Sequence, residues 1–266
     1  MTLDLETPAH RALVSELLFQ LADDDLVVAE RAAEWLGLAP HLEEDVAFAS
    51  IAQDEMGHAA MYYGLLEQLG AGTRDDLAHL RPAGERRNSV LAERPNGPGT
   101  YLVEPHFDWA YAIARHFLYD AFERVRLDHL VESAYDPLAA AAVKIRREER
   151  YHEAHHRMWL TELTRHGAEV QSRLADALHR AAQDAGDLGF SAPWAKAWEE
   201  LGILPGAHQL HSEWLGRVES QLADVGLSTP PVAMSLNGRI GQHSEALAAL
   251  LAQVSDVYRM DPAAQW

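Results

Sequence analysis

Two short stretches of the chain combine a carboxylate and an imidazole at the spacing of one helical turn. Glu55 and His58 form one Glu-x-x-His pair, and Glu149 and His152 form a second in the other half of the chain. Because positions i and i+3 of an α-helix lie on the same side, each pair would project both side chains together. Two such pairs on two helices of one bundle form half or more of a di-iron or di-manganese carboxylate site. The pairs therefore predict a two-metal centre, provided that other helices supply further carboxylates.

Apolar residues recur with helical spacing around both pairs and predict an all-α chain. We predict one domain over residues 1–266, a four-helix core followed by a helical extension. The core helices are predicted at about residues 8–36, 41–70, 107–135 and 137–166, and the extension at about 170–260. Glycine and proline separate the first helix from the second, and Asp136-Pro137 separates the third from the fourth. Short connections make neighbouring helices antiparallel, so the core consists of two similar hairpins.

The remaining ligands follow from the geometry of these hairpins. The antiparallel partner helix should offer a carboxylate as far before the turn as the glutamate lies after it. Asp25 precedes Glu55 by 30 residues (55 − 25), and Asp120 precedes Glu149 by 29 residues (149 − 120). The agreement predicts one carboxylate per partner helix, with Glu55 and Glu149 as bridging ligands. The predicted metal ligands are Asp25, Glu55, His58, Asp120, Glu149 and His152.

Two carboxylates compete for places in this set. Glu123 lies one turn from Asp120 on the same face, and Asp24 is adjacent to Asp25. Four carboxylates offset most of the charge of two divalent ions, and imidazoles suit iron and other borderline metals. A metal also removes the free-energy cost of burying unpaired carboxylates. We therefore expect two metal ions, iron in the first place and manganese as the alternative. The opposing interpretation is that each Glu-x-x-His is an exposed pair on an acidic helix.

A second metal pattern overlaps the later pair. His152, Glu153 and His156 form a literal His-Glu-x-x-His, in which two histidines hold zinc and the glutamate acts as general base of a metalloprotease. We do not favour this pattern, because the duplicated Glu-x-x-His already accounts for His152. His155 and His156 are then expected at the surface or in support of the ligands.

A basic run stands out in the same helix and leaves two interpretations open. It could meet an anionic group such as a CoA phosphate, or an acidic partner protein of the same assembly. The favoured alternative is a solvated helix face that pairs with nearby glutamates at i,i+3 and i,i+4 spacing. The run consists of Lys144, Arg146, Arg147, Arg150 and Arg157, and the glutamates are Glu148, Glu149 and Glu153.

Composition excludes several classes of function. The 41 acidic residues against 22 lysines and arginines give a formal net charge of −19, which argues against nucleic-acid binding and against anionic membranes. The chain has no cysteine, so disulfides, iron–sulfur clusters and thiol catalysis are excluded. The N-terminal residues lack a basic start and an apolar stretch, and no apolar run is long enough to span a membrane. We therefore expect a cytoplasmic protein.

Several stretches resemble the phenylacetic acid degradation protein family, and within it the C subunits of multicomponent phenylacetyl-CoA oxygenases, which act as ring 1,2-epoxidases. The resemblance covers nearly the whole chain. It rests on Ala33-Glu34-Trp35-Leu36-Gly37 with Ala39-Pro40, Glu93-Arg94-Pro95-Asn96-Gly97, Ile113-Ala114-Arg115 through Asp120, Arg150-Tyr151-His152, Gly238-Arg239-Ile240-Gly241-Gln242-His243-Ser244-Glu245, and the ending from Arg259 to Gln265-Trp266.

The resemblance implies a ferritin-like fold and a role in aerobic phenylacetate catabolism. It implies that the chain pairs with an A-type oxygenase subunit. It also implies a reductase component that delivers electrons from NADPH and a CoA thioester as substrate; a homodimer stays open. C subunits of the family are regarded as structural, with degraded metal ligands. This chain departs from them, because the stretches ending at His58 and His152 resemble the intact ligand motifs of the catalytic A-type protein.

Three functions follow as expectations. The first is a di-metal subunit of the oxygenase, in which reduced iron activates O2 and one oxygen atom enters a CoA-linked aromatic ring. The second is a non-catalytic subunit that stabilises its catalytic A-type partner. The third is a stand-alone ferritin-like metal oxidase.

Overall fold

The computed structural model describes residues 2–190 and 193–264, so the last stretch of the resemblance, Gln265-Trp266, lies outside the described residues. Eleven α-helices lie within the described part of the chain. They are α1 (Pro8–Ala33), α2 (Leu42–Gln68), α3 (Arg74–His79), α4 (Val90–Glu93), α5 (Trp109–Leu130), α6 (Asp136–Arg165), α7 (Ala168–Ala182), α8 (Ala195–Glu200), α9 (Ala207–Asp224), α10 (Glu245–Val254) and α11 (Asp256–Met260).

The all-α prediction is confirmed. No β-strand occurs in residues 2–190 or 193–264, where a single bridge joins Thr100 to Val103. The long helices form two antiparallel hairpins, α1 with α2 and α5 with α6, and this architecture agrees with the ferritin-like class. Among the described helices, none is long and apolar enough to cross a membrane.

The chain folds into two compact units, and each contains one of the long hairpins. The first unit comprises Asp4–Pro95 together with the segment from Leu236 onward, and it holds α1 to α4, α10 and α11. The second unit comprises mainly Asn96–Ser235 and holds α5 to α9.

In the first unit, α1 and α2 bury the apolar stripes that their sequences predict. Trp35 and Phe48 meet edge to face across the hairpin at a centroid distance of 6.3 Å. The turn between the helices is held by Asp45, whose Oδ1 accepts hydrogen bonds from the backbone N–H groups of Gly37 and Ala39. Because α1 ends at Ala33, Leu36 leaves the buried stripe and is exposed.

Glycine ends α2 in the Schellman arrangement. Gly70 has a φ of +80°, and its N–H donates to the carbonyl of Glu67. The N–H of Ala71 donates to the carbonyl of Leu66, so the last turn of the helix satisfies its carbonyl groups. A residue with a Cβ would be strained at this φ, and the stop signal read at Gly70 therefore has a conformational cause.

In the second unit, α7 and α9 pack against the α5–α6 hairpin. Trp214 of α9 is fully buried and donates its indole N–H to the carbonyl of Leu118 over 3.0 Å. Trp109 and Trp159 meet edge to face across α5 and α6 at 5.2 Å. These contacts pack the indoles against the two helices of the hairpin that carries the second Glu-x-x-His pair.

Candidate metal centre

Three consecutive aspartates, Asp23, Asp24 and Asp25, are all buried in α1. Successive residues of a helix point about 100° apart, so the three carboxylates face different surroundings. Buried carboxylates need a counter-charge, hydrogen bonds or a metal. The surroundings of each of the three carboxylates differ in this respect.

Asp25 lies with the first Glu-x-x-His pair. Asp25, Glu55 and His58 each offer a ligand atom within 4.8 Å of the others, and each is about 1% exposed. His58 Nδ1 is 3.6 Å from a carboxylate oxygen of Glu55. The antiparallel register of α1 and α2 thus brings together the three residues that the sequence predicts for this half of the centre. Two carboxylates and an imidazole in a closed environment are a donor set that fits iron or manganese.

Asp24, the competitor of Asp25, is engaged elsewhere. Its Oδ1 accepts hydrogen bonds from Arg239 Nη1 at 2.8 Å and from the N–H of Ser89 at 2.7 Å. The charged side chains of Asp24 and Arg239 are both fully buried. This pairing neutralises Asp24 without a metal, so the geometry favours Asp25 as the ligand from α1.

Asp23 is held by two arginines. Arg81 and Arg86 donate to its Oδ1 at 2.8 and 3.1 Å, and the hydroxyl of Tyr63 donates at 2.6 Å. Burial raises the pKa of Asp23, but the two guanidinium charges and the hydrogen bonds outweigh it and hold the pKa below its ordinary value. Asp23 is therefore an anion that stabilises the fold.

The second Glu-x-x-His pair is also buried. His152 Nδ1 and Glu149 Oε1 are 3.1 Å apart on α6, and both side chains are about 2% exposed. The interpretation of these residues as an exposed helix pair is therefore wrong, and the same holds for Glu55 and His58. Both pairs turn inward because they fall on the buried side of their helices.

Asp120 lies in a cluster that the sequence did not predict. Its Oδ2 is 2.5 Å from Nδ1 of His156, and the ring of His116 stacks on that of His156 at a centroid distance of 4.7 Å. Asp120, His116 and His156 each offer a ligand atom within 4.8 Å of the others, and all are buried. Burial, and then the neighbouring His156 and Arg115, lower the pKa of His116 well below its ordinary value, so this imidazole is neutral at pH 7.

The expectation that His156 lies at the surface is therefore wrong. The alternative expectation, that His156 supports a metal ligand, agrees with its contact to Asp120. Two features of the sequence could have predicted the cluster. His116 and Asp120 are spaced i,i+4 on the buried side of α5, and His156 follows Glu149 by two turns on α6.

Glu123, the competitor of Asp120, forms an ion pair with Arg126 on the same helix, with Arg126 Nε 2.7 Å from its Oε2. The register of the hairpin nevertheless keeps it close to the second pair. Asp120 of α5 lies opposite His156 of α6. Because the two helices are antiparallel, Glu123, one turn nearer to their connection on α5, lies level with His152, one turn nearer on α6. Both carboxylates of α5 thus lie on the inner side of this hairpin.

The metalloprotease pattern finds no support. Arg217 Nε donates to Glu153 Oε1 over 2.9 Å, and Gln221 donates to the same oxygen over 2.7 Å. A carboxylate held by these two side chains is not placed as a general base beside His152 and His156. Because Glu153 is engaged by Arg217 and Gln221, the spacing alone does not build a metalloprotease site here.

The basic run on α6 forms ion pairs at two of its positions. Arg146 pairs with Asp128 at 3.2 Å, and Lys144 lies 4.0 Å from Glu148. Two of the glutamates predicted as partners are used otherwise, because Glu149 turns inward and Glu153 pairs with Arg217. The interpretation of the run as a solvated, ion-paired helix face thus holds for Lys144 and Arg146.

Comparison with known proteins identifies the family. A family model described as phenylacetic acid catabolic protein matches residues 3–266. The chain belongs to the phenylacetic acid catabolic protein family. The C subunit of 1,2-phenylacetyl-CoA epoxidase from Escherichia coli (strain K12) is 31% identical over 250 residues, which is 93% of this chain and 96% of that relative. The A subunit of the same epoxidase is 27% identical over 173 residues, 65% of this chain and 52% of that relative.

The family resemblance drawn from the sequence is confirmed, and the structure explains part of its motifs. Arg239 binds Asp24, and His243 Nδ1 lies 2.7 Å from a carboxylate oxygen of Glu93. Arg115 donates to the side chain of Asn96 over 2.7 Å. These motif residues are polar links within one unit or the other. In this chain they link separate segments of the fold, whereas the two Glu-x-x-His pairs belong to the candidate centre.

Proposed function

We propose that this chain is a metal-binding subunit of a phenylacetyl-CoA oxygenase system. The two metal ions, iron in the first place and manganese as the alternative, would be held by six residues. These are Asp25, Glu55, His58, Asp120, Glu149 and His152. One observation carries the proposal. Asp25, Glu55 and His58 are fully buried together, with ligand atoms within 4.8 Å, in a chain whose second hairpin repeats the same Glu-x-x-His.

The donor chemistry supports the fit of a metal. The two carboxylates, packed with an imidazole within 4.8 Å, carry like charges that burial makes costly, and a divalent ion removes that cost. Bound iron would supply the redox chemistry by which O2 is activated for the oxygenation of an aromatic ring. The chain's own contribution is to exclude water and to position the carboxylates and imidazoles by helix packing.

The partners are proposed from the relatives. Both matched relatives belong to one epoxidase, which supports an A-type partner for this chain. A reductase that draws electrons from NADPH and a CoA thioester as substrate complete the proposed system. A homodimer is a further assembly that sedimentation of the purified chain would detect.

A non-catalytic role in stabilising the A-type partner is the second candidate. It is favoured by the match to the epoxidase's C subunit, which is more extensive than the match to its A subunit. Under this alternative, the metal centre would serve stability or be unused in turnover. Metal content and complex activity separate the two roles.

The test uses the full chain, loaded anaerobically with Fe²⁺ after chelation and freed of excess metal. We expect wild type to bind iron and Glu55→Ala to lose most of it. Glu67→Ala is the matched control, because Glu67 lies on the same helix and is half exposed. Equal iron content in Glu55→Ala and wild type, or no iron in wild type, would contradict the proposal.

The role in turnover is tested in the complex reconstituted from this chain, its A-type partner, the reductase and phenylacetyl-CoA. If this centre performs the oxygenation, Glu55→Ala should abolish product while complex formation persists. If the chain only stabilises its partner, product formation should be unchanged. Mass spectrometry of the CoA ester and size-exclusion chromatography provide the two readouts.

A further inference from the structure

The cluster of His116, Asp120 and His156 has the composition of a metal site in its own right. Two imidazoles and one carboxylate form the ligand set that binds single Fe²⁺ ions in many enzymes and also suits Zn²⁺ and Co²⁺. All three side chains are at most 1% exposed. Of the described residues outside the six proposed ligands, His116 and His156 are the ones that share such a cluster with one of them.

The backbone arrangement favours joint binding. His116 and Asp120 are one turn apart on α5, so their side chains project from the same face. His156 reaches them from α6, with Nδ1 2.5 Å from Asp120 Oδ2. Ligand atoms from both helices thus lie within 4.8 Å of one another, close enough for the three residues to hold one ion.

The rings are also held in place. The planes of His116 and His156 are 12° from parallel, and His155 meets His156 edge to face at 5.3 Å. Restricting the rings before binding lowers the entropy lost when a metal is captured. A hydrogen bond between Asp120 and His156 explains their contact. It does not explain why a second buried imidazole, His116, stacks on His156.

We propose that His116, Asp120 and His156 bind an accessory divalent metal ion beside the two-metal centre. This proposal rests on the proposed function in one respect: Asp120 would belong to both sites. Its two carboxylate oxygens can bind different ions. Three protein ligands leave room for water in the coordination sphere, as in exchangeable metal sites. The class of ligand is a borderline transition metal, Fe²⁺, Zn²⁺ or Co²⁺, and not Mg²⁺ or Ca²⁺, which prefer all-oxygen sites.

The test uses the chelated full chain and Co²⁺, with metal content and visible absorption as readouts. His116→Phe keeps a stacking ring without nitrogen. His156→Asn keeps a donor near the position of Nδ1 without the imidazole. We expect each variant to bind about one equivalent less than wild type. His129→Asn, on the same helix but pairing with Glu213 at a partly exposed position, should match wild type.

The two proposals fail in different ways. Glu55→Ala should lose cobalt from the two-metal centre but keep the ion that depends on His116 and His156. If wild type and both histidine variants bind equal cobalt with equal spectra, the accessory site is excluded while the two-metal centre stands. If either variant does not fold, cobalt anomalous diffraction of the wild type decides. A peak among the three side chains is expected, and its absence from saturated crystals would overturn the inference.

Discussion

Arg239 donates a hydrogen bond from Nη1 to Oδ1 of Asp24 over 2.8 Å, and neither side chain is exposed to solvent. The contact joins residues 215 positions apart and ties the short helical turn Gly238–Ile240 to α1. Arg239 also donates to the backbone carbonyl of Arg87. A buried charge pair thus links two distant segments of the first unit, and the adjacent Asp25 lies instead with Glu55 and His58.

Breaking this pair should destabilise the protein strongly. Arg239→Met leaves the carboxylate of Asp24 buried without its counter-charge, and we expect the free energy of unfolding to fall by about 3–5 kcal/mol. Guanidinium denaturation followed by circular dichroism measures the change. Lys196→Ala removes an exposed pair with Glu200 and should alter stability by less than about 1 kcal/mol. Similar losses in the two variants would contradict a structural role for Arg239.

Neighbouring aspartates should separate metal binding from stability. Asp25→Asn removes a proposed ligand, so the affinity for Fe²⁺ should fall by more than about 100-fold, since even partners of ligands contribute about 10- to 100-fold. Asp24→Asn should bind metal normally yet unfold at lower denaturant concentration, because it weakens the pair with Arg239. Iron titration and denaturation on both variants check this. The reverse pattern would make Asp24 the ligand.

Gly238 should not tolerate a methyl group. A Cβ built there would lie 1.9 Å from the backbone carbonyl oxygen of Asn88, which cannot move without displacing the segment. Gly238→Ala should therefore destabilise by about 1–3 kcal/mol or more. Gly216, inside α9, has no atom within 4 Å of its Cβ position, and Gly216→Ala should stabilise by about 1 kcal/mol. Thermal unfolding of both variants is the measurement, and equal effects would refute the close contact.

Acidification should weaken the first unit through His79. Burial, and then the charge of Arg86, lower the pKa of His79 below its ordinary value of 6.5, and its ring lies 5.0 Å from that of Tyr258. The unfolded chain then binds a proton more readily than the folded one. This contribution to stability is therefore complete above pH 6.5 and is lost as the pH falls through the lower folded pKa.

His79→Phe keeps an aromatic ring beside Tyr258 but cannot titrate. Urea denaturation at about pH 7.5 and about pH 5, on either side of the ordinary histidine pKa, should show a smaller loss of stability for this variant than for wild type. NMR titration of the imidazole supplies the direct check. A folded pKa of 6.5 or higher, or an equal loss in both proteins, would contradict the expectation.

Periodicity and spacing predicted much of this protein because they depend on local geometry. The all-α class follows from apolar residues at helical spacing, and the stop after α2 follows from Gly70. The cluster of Asp25 with Glu55 and His58 was predicted because α1 and α2 are joined by a short turn. A short turn fixes the antiparallel register, and the register determines which residues face each other.

The tertiary structure decided what distant segments contribute. Asp24 could not be excluded as a ligand from the sequence, because its partner Arg239 lies 215 residues away and no local pattern links them. The positions of His116 and His156 could not be predicted for a related reason. Helix spacing defines a face but not the neighbour that covers it, and packing between α5 and α6 buried both imidazoles around Asp120. The sequence by itself thus determined the helices and the types of the candidate ligands. Packing decided whether a given carboxylate lies beside an arginine, an imidazole or the other candidate ligands.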